Sequence, residues 1–419
     1  MGNTDVVPVE RQYLGTFFLF HATRLHLTVI RNSSLWFRQA SHEQALRLFV
    51  LVAGPAGDES IVPSFHDANF LNPGKGIVCI LLTSAMPASS PIPLRRFGKS
   101  DVKVSALGLG GHHLGAAKDE QTAVDIVHQA IDGGVTFFDN CWEYNRGKSE
   151  DWLGKGLRGH RKEVFLMTKV CTHGRDASLA TLMLEQSLRR LQTDFLDLWQ
   201  IHGVSFQNDP DLFIRPGGAA EALLKAKRDG KVRFLGFTGH KDPDVHLAML
   251  NTGFPFDAVQ MPLNPFDANF FSFEQKVVPV LRERGIAPLG MKPIGGHGEP
   301  VQKGIFTAQE LLRYAMSLPV TTTITGVSDL DILKQNLEVA QGFSPLQESE
   351  MDALRKRAKP YAGDGHFEQY KTSLKFDNPE ARLSHGFPLD MQQVEVRQMI
   401  DEAQNTGRPY PQVKDSPGV

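Results

Sequence analysis

Cysteine is scarce: there are 3 in 419 residues, Cys79, Cys141 and Cys171. So few, so scattered, exclude a disulfide framework and point to a reducing, cytoplasmic compartment. Long apolar runs are also missing. Phe17–Phe20 and Ile77–Leu82 are apolar, but both fall far short of the ~20 residues that span a bilayer. Ile77–Leu82 follows Lys75 as a signal core would, yet it lies too far from Met1 to be one. Charge of one sign is not in excess: 45 basic against 47 acidic residues give a net charge of −2. That argues against a nucleic-acid or membrane partner. No GxGxxG follows the first predicted barrel strand, Leu107–Gly110, so a Rossmann dinucleotide site is excluded.

Residues 1–85 carry no sustained period of 2 or 3.6 and scatter Asn, Ser, Gly and Pro. They read as a disordered extension, or as upstream sequence read through to an internal start at Met86. The alternative is an accessory segment packed on the rest. From Leu94 the chain changes character. Leu94–Ser100 and Val102–Val104 read as a hairpin. Eight strand–helix units follow. The predicted strands are 107–110, 136–138, 164–169, 195–202, 232–238, 258–261, 287–291 and 320–325. The helices between and after them are 120–131, 149–157, 179–191, 219–227, 244–251, 274–284, 307–318 and 329–340. Alternating β and α with short turns predicts a parallel sheet covered by helices. A count of eight over about 250 residues favours one closed (β/α)8 TIM barrel. The fold class is α/β, with an N-terminal hairpin and non-barrel extensions at both ends. The domain boundaries are 1–85, 86–343 and 344–419. In the last segment Leu346–Arg357 reads as a helix, and 361–367 and 376–387 as extended coil.

The most informative stretch is Thr136–Glu150, TFFDNCWEYNRGKSE. Its strand ends on a carboxylate, Asp139, and its loop presents a phenol, Tyr144. The next strand ends on Lys169 and the one after on His202. Three successive parallel strands thus deliver Asp, Lys and His to one rim, with Tyr in the first loop. FFDNCWEYNRGKSE, LMTKV and DFLDLWQIHG resemble the aldo-keto reductases, (β/α)8 oxidoreductases that use a nicotinamide dinucleotide, NADP(H) or NAD(H). The resemblance spans Leu94–Phe343. It implies a catalytic tetrad of Asp139, Tyr144, Lys169 and His202, and a hairpin plugging the N-terminal end of the barrel. The chemistry agrees. Carbonyl reduction needs hydride at carbon and a proton at oxygen. A phenol holds its proton at neutral pH, a nearby ammonium stabilises its anion, a carboxylate fixes that ammonium, and an imidazole orients the substrate oxygen. A small carbonyl or alcohol substrate follows; its identity and the oligomeric state are not read from these residues.

The resemblance also implies cofactor contacts. Gln260 and Asn264 would hold the carboxamide, Met291 and Lys292 the nicotinamide face and pyrophosphate, and Gln335 and Asn336 the adenine. Thr325–Ser328, with Gly326 and Ser328, runs into the last helix, whose N-terminal N–H groups receive phosphate. Gly326 and Ile332 stand where the family commonly has Lys and Arg, and Asp329 and Asp331 repel a 2′-phosphate. A modest NADPH preference at most is expected, below roughly a hundredfold, or about 2.7 kcal/mol. Two other classes compete. His112-His113 raises a metal-dependent hydrolase, but neighbouring residues of extended chain point apart and chelate poorly, so no metal ligands are assigned. A nucleotide-sensing regulatory barrel would share the fold and the cofactor residues. Cys141 and Cys171 each lie two residues past a tetrad position. They read as two free thiols, with a redox-sensitive pair as the alternative.

Overall fold

A computed structural model of the protein describes residues 91–172 and 175–373, together with the backbone of five strands between residues 17 and 84. Those strands are β1 (Phe17–His21), β2 (Arg24–Ile30), β3 (Leu46–Ala53), β4 (Glu59–Val62) and β5 (Ile77–Ser84). β1 pairs antiparallel with β2, and β3 with β4 and β5. The remainder of 1–90 lies outside the described residues, and with it most of the expected disordered extension. So does the coil expected at 376–387. The chain divides into two units, 1–90 and 91–419.

The second unit opens with the hairpin β6 (Leu94–Arg96) and β7 (Lys103–Ser105). Eight parallel strands then close a barrel: β8 (Leu107–Gly110), β9 (Phe137–Asp139), β10 (Phe165–Thr172), β11 (Leu196–His202), β12 (Val232–Thr238), β13 (Ala258–Pro262), β14 (Ala287–Met291) and β15 (Thr322–Gly326). β15 pairs back onto β8, with Ile324 opposite Gly108. Helices follow the strands, so most strand residues are buried. No helix among the described residues is long and apolar enough to cross a membrane.

Side chains alternate along a strand, so every second residue enters the barrel. Phe137, Phe165, Met167, Leu198, Ala258, Ala287, Leu289 and Ile324 fill its lower half. Phe97 from the hairpin joins them, with ring centroids 4.8 Å from both Phe165 and Phe234. The hairpin therefore caps the N-terminal end. Gly98 makes that seat possible: its φ is +55°, and a Cβ there would lie 2.9 Å from the Gly285 carbonyl oxygen. On β9, β10, β11 and β13 the interior turns polar two residues further up, with Asp139, Lys169, Gln200 and Gln260, and His202 lies two beyond Gln200. The same alternation that packs the core aims the polar groups at the C-terminal rim.

Several elements differ from the sequence reading. His112 and His113 lie on a one-turn helix, Gly111–Leu114, not in extended chain. The loop after β11 contains a helix, Asp209–Ile214. The helix expected at 274–284 is two, Phe273–Lys276 and Val278–Arg284. Pro279 lies at the start of the second; it lacks an N–H and cannot continue the first. Residues 359–372 form short helical turns, not extended coil: Lys359–Tyr361, His366–Glu368 and Gln369–Thr372.

Candidate active site

β9, β10 and β11 bring the four expected residues together. Lys169, 1% exposed, donates to Asp139 Oδ1, to the Asn140 carbonyl at 2.8 Å and to Tyr144 Oη at 3.3 Å. Those three acceptors match the three donors of an ammonium. The buried charge is thus paired and fully hydrogen-bonded, the condition under which such a charge is tolerated. Gln260 Nε2 holds the other oxygen of Asp139 at 3.2 Å. His202 closes the group from β11. Its ring centroid lies 5.8 Å from that of Tyr144, nearly perpendicular. Its Nδ1 is 2.8 Å from Glu143 Oε1.

Burial pushes the Tyr144 phenol well above its ordinary value, and Asp139, Cys141 and Glu143 add to the shift. The net direction is opposite to the acidifying effect expected of Lys169. Desolvation and three negative or neutral-to-negative neighbours outweigh one ammonium. Burial likewise lowers the His202 imidazole, partly opposed by its bond to Glu143.

The expected cofactor residues spread around the same rim. Met291 ends β14, within 3.9 Å of Thr238 Oγ1. Lys292 follows with left-handed backbone, φ 53°, and its Nζ lies 4.9 Å from the centre of the Tyr370 ring. Burial, then Lys169, lowers its ammonium to about 8. Gly326 ends β15 and packs against His113, so that a Cβ there would lie 2.1 Å from His113 Nδ1. Ser328 bonds its neighbour Asp329. Asp329 caps the helix Leu330–Gln341, accepting from Ile332 N at 2.9 Å. On that helix Gln335 is half-buried and Asn336 buried. Asn264 is engaged within the protein. Its oxygen accepts from Phe266 N and Asp267 N, and its nitrogen lies 3.1–3.3 Å from Tyr370 Oη, the Lys292 carbonyl and Glu368.

Sequence reasoning missed several groups at this rim. Glu143 precedes Tyr144 and touches His202. Gln200 is fully buried, and neither end of its amide has a hydrogen-bond partner among the described residues. It lies two residues before His202, so period-two counting from the imidazole would have found it. Arg175 and Asp209 form a buried ion pair at 2.9 Å, and Arg175 also donates to the carbonyls of His202 and Gly203. No local pattern marks that pair.

A parallel (β/α)8 barrel with an Asp–Lys–Tyr–His group on its C-terminal rim defines a class of oxidoreductase barrels, and comparison with known proteins agrees. Residues 106–298 match the sequence model of the aldo/keto reductase family. The uncharacterised oxidoreductase YqkF of Bacillus subtilis is 25% identical over 309 residues, covering 63% of this chain and 96% of that protein. L-galactose dehydrogenase of Arabidopsis thaliana is 35% identical over 158 residues, covering 35% of this chain and 49% of that protein. The holo form of an aldo-keto reductase from Bacillus halodurans superposes with a TM-score of 0.55 at 25% identity, covering 66% of this chain and all of that one. An aldo/keto reductase from Klebsiella pneumoniae, in complex with NADP and acetate, shares the fold, with a TM-score of 0.52 at 24% identity over 64% of this chain and 95% of that one. Residues 106–298, most of the barrel, are thus similar to the aldo/keto reductase family.

Proposed function

We propose that the protein reduces aldehydes or ketones to alcohols with a nicotinamide dinucleotide. Tyr144 is the proton donor, Lys169 and Asp139 support it, and His202 orients the substrate oxygen. The observation that carries this reading is the Lys169 ammonium, which touches both Asp139 and the Tyr144 hydroxyl. The residues present fit such a cofactor. Gln260 Oε1 and Asn336 Nδ2 are buried without a hydrogen-bond partner among the described residues. An amide-bearing nicotinamide and an adenine supply complementary groups. Gln260, Met291, Lys292, Gly326, Ser328, Gln335 and Asn336 would hold the dinucleotide, with Asn264 fixing the Lys292 carbonyl. Relatives support the choice: the Klebsiella protein binds NADP, and a Schizosaccharomyces pombe relative is named for NADP(+).

When bound, the cofactor supplies hydride to the carbonyl carbon. The protein's own part is acid catalysis, which contributes about 10²–10⁴-fold. Tyr144, with its pKa raised, keeps its proton through neutral pH and can give it to the substrate oxygen. Lys169, 3.3 Å away, stabilises the phenolate as it forms. Asp139 cannot leave that ammonium without stranding a buried charge. The absence of Lys and Arg at Gly326 and Ile332 supports at most a modest NADPH preference, with NADH also used. The scarcity of cysteine supports a cytoplasmic location.

The test is cofactor oxidation, with NADPH and NADH, across a panel of aldehydes and activated ketones. Both the full chain and a chain begun at Met86 are assayed. Turnover with at least one carbonyl, in both chains, is expected. Cofactor binding with no turnover across the panel would favour the nucleotide-sensing alternative. Activity lost only in the shorter chain would make 1–85 part of the enzyme.

A further inference from the structure

Beside Tyr144 three side chains converge in a way that carbonyl reduction does not require. Cys141 Sγ lies 3.2 Å from His202 Nδ1, and that nitrogen lies 2.8 Å from Glu143 Oε1. Sγ and Oε1 are 3.9 Å apart. We propose that Cys141 Sγ, Glu143 Oε1 and His202 Nδ1 form a binding site for a divalent cation of the zinc class.

The donor set selects the ion. A thiolate, an imidazole and a carboxylate suit zinc or cobalt, whereas magnesium and calcium take oxygen ligands. The spacing fits as well. Zinc–sulfur bonds of about 2.3 Å and zinc–nitrogen or –oxygen bonds of about 2.0–2.2 Å, at tetrahedral angles, put ligand atoms roughly 3.4–3.6 Å apart. The three observed separations bracket that range, so each needs to change by about 0.6 Å or less. Access is from the rim. The His202 and Glu143 side chains are 16% and 15% exposed, and Cys141 forms the covered floor.

The protons balance without a co-reactant. The thiol gives its proton to solvent. His202 coordinates through Nδ1 and carries its ring proton on Nε2. Glu143 exchanges its bond to that N–H for a bond to the cation. Thiol chemistry alone is a weaker use of Cys141: the residue is fully buried, whereas reactive thiols are exposed.

The test titrates the full chain with Co²⁺ and follows its absorption. One equivalent should produce a sulfur-to-cobalt charge-transfer band, which stoichiometric Zn²⁺ then bleaches. Cys141→Ala should abolish the band. Glu143→Gln, at a part-exposed position with little effect on packing, should weaken binding roughly tenfold or more, since loss of even outer-shell partners costs that much. A Cys79→Ser/Cys171→Ser chain should keep the band, which excludes the other thiols. No charge-transfer band in the unmodified chain would overturn the site. So would a band that survives Cys141→Ala, or an affinity unchanged in Glu143→Gln.

Discussion

Lys292 carries a charge that is on the verge of being lost. Its ammonium titrates near 8 in the free protein, lowered by burial and by Lys169. Below that pH it is charged and can attract the cofactor's phosphates; as pH rises through it, the attraction disappears. Because kcat/KM reports the free enzyme, kcat/KM for NADPH should fall above about pH 8. In Lys292→Arg the fall should vanish, since a guanidinium stays charged. A profile that falls at the same pH in both proteins would assign the titration elsewhere. At this scale the sequence was informative wherever one strand's alternation decides the outcome. Asp139 and His202 end their strands and Lys169 lies three residues before the end of β10, all in phase with an apolar interior. It was uninformative where several elements meet. The upward shift of Tyr144 depends on burial and on Asp139, Cys141 and Glu143 together. The engagement of Asn264 depends on Glu368 and Tyr370, about a hundred residues away in the chain.

Two elements carry consequences of their own. The one-turn helix Gly111–Leu114 sets His113 against Gly326, where the family commonly carries a Lys. Gly326→Lys alone would drive a Cβ to 2.1 Å from the imidazole. It should lower thermal stability and leave cofactor preference nearly unchanged. Combined with His113→Ala, the same Lys gains room, and a charge-assisted contact of about 1.5–3 kcal/mol should raise the NADPH/NADH ratio of kcat/KM roughly tenfold or more. Equal ratios in the single and double variants would contradict this. The second element is the segment after β11. Arg175 ties the carbonyls of His202 and Gly203 to Asp209, which in turn accepts from Ser205 N and Phe206 N at 2.8 and 2.9 Å. Arg175→Met strands a buried carboxylate. Denaturant unfolding should show a loss of about 3–5 kcal/mol, with turnover reduced because His202 loses its anchor. A change below about 1 kcal/mol, the scale of an exposed pair, would contradict it. The helix Asp209–Ile214 escaped the sequence reading because a six-residue helix held by a distant arginine has no period to recognise.

At the scale of the molecule, the barrel was legible because eight alternations of strand and helix leave few other ways to bury so many apolar strands. The segment after the last barrel helix was less so. Its short turns are held by Lys371, buried and bonded to Asp267 at 2.6 Å, the Phe270 carbonyl at 2.8 Å and Glu368 at 3.1 Å. That is a tertiary network with no local signature. It places Tyr370 against Lys292 and so brings this segment to the rim of the barrel. The whole fold converges on one proton, that of Tyr144, and the most direct measurement addresses it. Turnover of the best carbonyl substrate and the Kd for NADPH are compared in the unmodified protein and in Tyr144→Phe. The account predicts a fall in kcat of roughly a hundredfold or more, with the Kd changed only a few-fold. Near-normal turnover in Tyr144→Phe would contradict it.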